Sequence, residues 1–142
     1  MDKKKIQCTI YIVSFSFFFT DANSLGASTA VFGLLAAEGV FLHLNKDLFG
    51  KRAQRALSNI VMVAAVNLFI GMSPGIDNWG HIGGLLGGLI FAAMGGPRWE
   101  LEGIYPLMQL VDRRNMSHAI TAALVVFGIF SIVALLKFIG IN

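Results

Sequence analysis

Charge is scarce in this chain of 142 residues. Asp, Glu, Lys and Arg together make up 13% of it, and 56% is hydrophobic. Soluble globular domains carry about a quarter charged residues. With a mean hydropathy of +0.71, that deficit excludes an ordinary soluble domain and puts most of the chain in lipid. Cysteine is almost absent. Cys8 stands alone, which excludes an internal disulfide framework. No cluster of His and Cys surrounds it, so neither a metal site nor a cofactor is expected. There is no internal repeat and no low-complexity segment. The net charge of +3 and a pI near 9.3 would suit nucleic acid if the basic residues formed a patch. They fall between apolar runs instead and read as loop charge, so the expected partner is the bilayer and not nucleic acid.

Five apolar runs are present, at 6–19, 26–44, 56–72, 79–94 and 119–141. A helix needs about 17–25 residues to cross the hydrocarbon. The first run and the glycine-rich fourth are short by that measure, and the expectation is an all-α, polytopic transmembrane bundle of about five spans. Residues 3–19, KKKIQCTIYIVSFSFFF, resemble a secretory signal, but the following TDANS lacks a small-x-small cleavage site, so the run is read as an uncleaved membrane segment. The 95–118 stretch, with GGPRWELEG and VDRRN, reads as a cytoplasmic loop with interfacial Trp99 and Tyr105.

Basic residues orient the spans. Lys3, Lys4 and Lys5 precede the first, Lys46, Lys51, Arg52 and Arg55 lie between the second and third, and Arg98, Arg113 and Arg114 between the fourth and fifth. The connections TDANSL and GMSPGIDN contain no Lys or Arg. Positive loops stay in the cytoplasm, which places the N-terminus inside. Lys137, near the outer end of the last span, can snorkel to the interface.

In SLGASTAVFGLL, residues 24–35, Ser28 lies among the smallest residues at the outer mouth of the second span. Of the three histidines, His43 and His118 fall at inner ends, and His81 alone falls at an outer end, in IDNWGHIGGLLGGLIF. Ser28 and His81 therefore share a leaflet and a depth. A serine hydroxyl becomes a useful nucleophile when a base takes its proton, and neutral imidazole is such a base at physiological pH. The free N–H groups at a helix start can steady an oxyanion. Gly84 and Gly88 lie near the His81 face of their helix, at a spacing that lets two backbones approach in lipid. Ser28 shares a face with Phe32, Leu35 and Gly39, while Ala30, Gly33 and Ala37 form a second small-residue stripe. That stripe is expected to have its own partner, making the Ser28 helix central. The plainer alternatives are a serine bonded to its own backbone, simple GxxxG packing and an interfacial histidine.

GASTAVFGLL resembles the Gly-x-Ser helix of the rhomboid intramembrane serine proteases, and IDNWGHIGG resembles their His-x-Gly-Gly helix. NLFIGMSPGIDN, with Asn67, resembles the segment leading into that histidine. The likeness covers residues 23–94, with 119–142 similar to the extra seventh helix of some members. It implies that Ser28 is the nucleophile and His81 the base of an endopeptidase acting on transmembrane proteins. Thr29 stands where the family often has glycine, and Gly80 where it often has alanine. The family's front helices, with a Trp-Arg loop and a histidine and an asparagine that assist the oxyanion, find no likeness in residues 1–22. A truncated or rearranged member is therefore expected, with a further chain supplying the missing helices as one possible partner. Losing one oxyanion donor costs about 100- to 1,000-fold in rate.

Among other polar residues, Glu38 is expected to be neutral or paired with a neighbour such as His43, and Asn67 to join helices. Asp77 and Asn78 are expected to cap or orient the His81 helix. Two functions lead, an intramembrane serine endopeptidase using Ser28 and His81 or a non-catalytic rhomboid-like protein that binds transmembrane segments; a proton or solute path through Glu38, His43 and Asn67 is a third, with only scattered polarity behind it.

Overall fold

A computed structural model describes residues 27–73 and 76–139. The run at 6–19 lies outside the described residues. The other four runs form helices: α1 (Ala27–Leu44), α3 (Lys51–Ile70), α4 (Asn78–Gly95) and α5 (Met116–Ile139), with a single turn α2 (Lys46–Phe49) between α1 and α3. An apolar chain surrounded by hydrocarbon can satisfy its backbone only within itself, and uninterrupted runs of this kind become helices. Each ends where that continuity fails. Gly50, with φ of 55°, turns the chain from α2 into α3 in a conformation that side-chain-bearing residues avoid. Asp77 caps α4, its Oδ1 accepting from the Gly80 N–H at 2.9 Å, as an N-cap should.

The helices pack in the order α3–α1–α4–α5. Small residues line each seam. The position of a Cβ on Gly39 would lie 3.7 Å from Ile60 and 3.9 Å from Leu57 of α3, and one on Gly87 would lie 3.3 Å from the Phe130 ring of α5. The buried hydrophobic side chains described are few, with Phe32 and Phe130 the largest, while Val61, Phe69, Leu124, Phe127, Ile132 and Phe138 are exposed. Both α3 and α5 include stretches long and apolar enough to cross a membrane, yet only 6% and 11% of those stretches are buried inside the fold. A core helix of a soluble protein would hide its apolar side chains. These show theirs outward, as lipid-facing helices do.

The 95–118 connection is more ordered than the loop expected from its composition. It contains an antiparallel hairpin of β1 (Trp99–Glu102) and β2 (Gln109–Asp112), with Trp99 opposite Asp112 and Leu101 opposite Leu110, so the fold is not purely α. α5 also begins earlier than its apolar run, at Met116. Two polar residues tie the hairpin to the bundle. Arg114 donates to the carbonyls of Met94 and of Ala93, the latter at 2.9 Å, satisfying the exposed end of α4. Asn45, only 2% exposed, accepts from the Trp99 N–H at 2.7 Å and donates to the carbonyls of Phe41 (2.7 Å) and Pro97 (3.1 Å).

The Asn45 side chain ties α1 to the hairpin through the Trp99 N–H and the Pro97 carbonyl. Asn45→Ala would strand the Trp99 N–H, and leaving a buried polar group without a partner costs about 1–3 kcal/mol. The expected outcome is a lower unfolding temperature in detergent and a more mobile Trp99, read by fluorescence anisotropy in a Trp79→Phe background. An unchanged anisotropy would show that Asn45 does not hold the hairpin.

Candidate active site

The site lies where the starts of α1 and α4 meet. Thr29 and Phe32 are buried to 1% and 4% exposure, Gly33 is half-buried, and Ser28 is exposed at their edge. Thr29, Phe32 and Gly33 form the face of α1 that meets α4. There the backbones touch. A Cβ on Gly84 would fall 2.2 Å from the carbonyl oxygen of Thr29, and one on Gly88 would fall 2.0 Å from that of Gly33. Small residues at this spacing permit such closeness between helices in lipid.

Gly33 thus packs on the helix that carries His81, with its own Cβ position 3.3 Å from the Gly84 carbonyl oxygen. Among the described residues, the small-residue stripe of α1 meets α4 through Gly33. Ala30 is exposed and Ala37 half-buried, and the second neighbour, α3, meets the Gly39 side instead. The α1 helix is central all the same, between α3 and α4.

His81 lies in the first turn of α4, 6% exposed. Its imidazole stacks on Phe32, with ring centroids 4.3 Å apart and planes at 17°. Phe32 sits one helical turn from Ser28, about 6 Å of rise at 1.5 Å per residue, so the imidazole meets α1 one turn along from the serine. No hydrogen bond joins Ser28 to His81 among the described residues. The Nδ1 atom of His81 and the Oδ1 of Asn78 are buried without hydrogen-bond partners. Around them, the Asp77 carboxylate closes the helix start, and Thr29 Oγ1 would sit 2.9 Å from a Cβ on Gly80. Such unsatisfied polar atoms are rare in folded interiors. Here they gather within one turn of helix at His81.

His43 and His118 are exposed, His43 in the last turn of α1 and His118 in the first turn of α5. Glu38 is exposed and forms no ion pair with His43 among the described residues. Asn67, expected to join helices, donates to the Val63 carbonyl of its own helix at 2.8 Å. No group of three His, Cys, Asp or Glu is placed to hold a metal ion among the described residues. Phe32 and Thr29 are the residues whose roles motif reading missed. Phe32 was visible on the Ser28 face, but nothing in the sequence says that an imidazole stacks on it.

Residues 6–98 match the family model of the Rhomboid domain. The chain belongs to the rhomboid family. The match starts ahead of the Gly-x-Ser segment and takes in part of the 1–22 stretch that the motifs leave unassigned. Among curated relatives, "RHOMBOID-like protein 7" of Arabidopsis thaliana is 37% identical over 103 residues, 66% of this chain and 33% of that protein. "Rhomboid protease GluP" of Bacillus subtilis is 40% identical over 79 residues, 55% of this chain and 15% of that protein. "Rhomboid protease AarA" of Providencia stuartii is 33% identical over 96 residues, 58% of this chain and 34% of that protein. The chain therefore spans about a third or less of the length of these rhomboid relatives. No solved structure matches it. Rhomboid proteins are integral to membranes, and the apolar, outward-facing α3 and α5 fit that setting.

Proposed function

We propose that this chain carries the catalytic pair of an intramembrane serine endopeptidase, with Ser28 as nucleophile and His81 as general base. The observation that supports it most is the imidazole held on Phe32, one turn below the serine, at a seam of touching backbones. The Ser28 Oγ attacks the carbonyl carbon of a peptide bond near the outer end of a substrate's transmembrane segment while His81 takes the hydroxyl proton. His81 then returns that proton to the departing amine. Water, activated by the same imidazole, attacks the acyl-enzyme, releases the new carboxyl terminus and restores Ser28. The N–H groups in the first turn of α1 are the candidate oxyanion donors, since those of Asn78, Gly80 and His81 in α4 already donate to Ile76 and Asp77.

The topology belongs to the same proposal: a multi-pass chain, N-terminus in the cytoplasm, with the serine and histidine opening to the outer face where water is available. Its substrates are transmembrane proteins, and a second chain completing the helical scaffold remains part of the reading. No cofactor enters the chemistry.

Fluorophosphonate labelling of the purified chain in mild detergent tests the pair. The expected result is labelling at Ser28 that disappears in Ser28→Ala and His81→Ala. Absence of labelling in a helical, monodisperse sample would sink catalysis by this chain. The second reading would then stand, a rhomboid-like protein that binds transmembrane segments without cutting them, supported by the lack of a Ser28–His81 hydrogen bond. Catalytic hydrogen bonds do commonly tighten only when substrate is bound.

A further inference from the structure

The hairpin divides its side chains by chemistry. Successive residues of a strand point to opposite faces and directly paired residues share one. Trp99, Leu101 and Leu110 therefore lie on one face, and Glu100, Glu102 and Gln109 on the other, together with one apolar residue, the half-buried Val111. On the polar face Arg113 bridges both glutamates, at 2.9 Å to Glu100. Asp112 falls on the apolar side of the register, but its Oδ1 turns back to accept from the N–H groups of Arg98 (3.0 Å) and Arg114 (2.9 Å). The exposed Asp112 is thus the one charge on the apolar side, held at the hairpin's base beside α5.

The tip is apolar and exposed as well. Ile104 and Tyr105 are each 86% exposed and Leu107 is 80% exposed. Soluble surfaces seldom leave so continuous an apolar patch in water. Its direction is set at the base. The Trp99 ring meets Phe41 of α1 edge-on, centroids 5.8 Å apart at 87°, so the apolar face turns toward the bundle's inner end. Beyond that contact the strand does not close on the helices. A cleft of about 550 Å³ opens there between the hairpin and the α1–α2 corner, its lining mixed: Trp99, Leu101, Leu44 and Leu48 beside the charged Asp47 and Arg98.

We propose that the 99–112 hairpin is an interfacial membrane anchor, its Trp99–Leu101–Leu110 face and its 104–107 tip lying in the boundary layer of the inner leaflet and its Glu100–Glu102–Arg113 face in water. The occupant is lipid for three reasons. The hairpin is continuous with the lipid-facing α5, ending four residues before it, and starts four residues past α4. Trp and Tyr are the residues that settle at headgroup level. The segregation of apolar from paired charged side chains is that of an element lying in the interface plane. Because Arg114 bonds the last carbonyls of α4, an anchored hairpin holds the inner end of the histidine helix at a set depth. The proposal rests on the membrane orientation given above, and its test separates the two.

Single cysteines in a Cys8→Ser background, carrying a nitroxide, are placed at 100, 101, 102, 104, 107, 109 and 110 in the full chain. The chain is reconstituted in phosphatidylcholine–phosphatidylglycerol vesicles, with controls at Leu124 and Leu135 on α5. Collision with oxygen marks lipid, and collision with a water-soluble nickel chelate marks water. The expected result is alternation: oxygen-favoured at 101, 104, 107 and 110, nickel-favoured at 100, 102 and 109. Nickel access at every hairpin site, with α5 in lipid, would overturn the anchor alone. Shielding of 101, 104, 107 and 110 from both reagents would also overturn it, since protein would then cover the face. Nickel access at the α5 controls would remove the membrane orientation together with the anchor.

Discussion

Ser28→Ala, His81→Ala and the double variant are expected to fall to one common floor of peptide-bond hydrolysis. Residues that act as a unit do not lose activity additively. Removing either member of a nucleophile–base pair leaves the other without a task, and in serine proteases the loss is about 10⁶-fold in turnover whether one or both are removed. The measurement is cleavage of a reporter transmembrane segment in proteoliposomes, with rates for all three variants and the unaltered chain. The Ser28 side chain is exposed and its removal disturbs little packing. His81 is buried on Phe32, so the His81→Ala sample also requires an unfolding curve. Losses that multiply in the double variant would mean that the two residues contribute independently, and the dyad would be wrong. A single variant that keeps most of the activity would be equally damaging.

Gly88→Ala is expected to part α1 from α4 and take the site with it. One methyl group there would stand 2.0 Å from the Gly33 carbonyl oxygen, and 2.7 Å from its carbonyl carbon. Nothing flexible can yield, because the neighbour is backbone. Overpacking of this kind typically costs about 1–3 kcal/mol, and here the helices themselves must move to admit it. Gly84→Ala, which meets the Thr29 carbonyl oxygen at 2.2 Å, is expected to do the same beside His81. The checks are a lowered unfolding temperature in detergent and loss of labelling at Ser28. Gly128→Ala is the control, since a Cβ there has nothing within 4 Å and alanine is the better helix former by about 1 kcal/mol. It should leave both readings unchanged or raise the unfolding temperature. Equal behaviour of Gly88→Ala and Gly128→Ala would show that the α1–α4 seam is not as close as described.

The helices were legible in the chain. The apolar runs at 26–44, 56–72, 79–94 and 119–141 became helices within a few residues of their edges, except that α3 reached back through polar Lys51–Arg55. Lipid leaves a continuous apolar run no other way to satisfy its N–H and C=O groups. The family, too, was readable in two short motifs, since small residues beside a serine and after a histidine are required wherever backbones touch. That Asp77 would cap the histidine helix was readable for the same local reason: its carboxylate reaches an N–H three residues on.

The faces were not legible. α1 is apolar nearly all round, so periodicity cannot say which side meets which neighbour. Gly33 went to the histidine helix and Gly39 to α3 because those pairings bring glycine against backbone and against Ile60 and Leu57, a fit that depends on both helices at once. The stack of His81 on Phe32 follows from that packing. The hairpin was hidden for a related reason. Its register depends on hydrogen bonds between residues about ten apart and on Asn45, fifty-four positions before Trp99. Composition and local pattern thus determined the helices and their chemistry, because both arise from neighbours along the chain. The meeting of Ser28's helix with His81, and the amphipathic hairpin at the opposite end, depended on contacts that exist only once distant segments are packed.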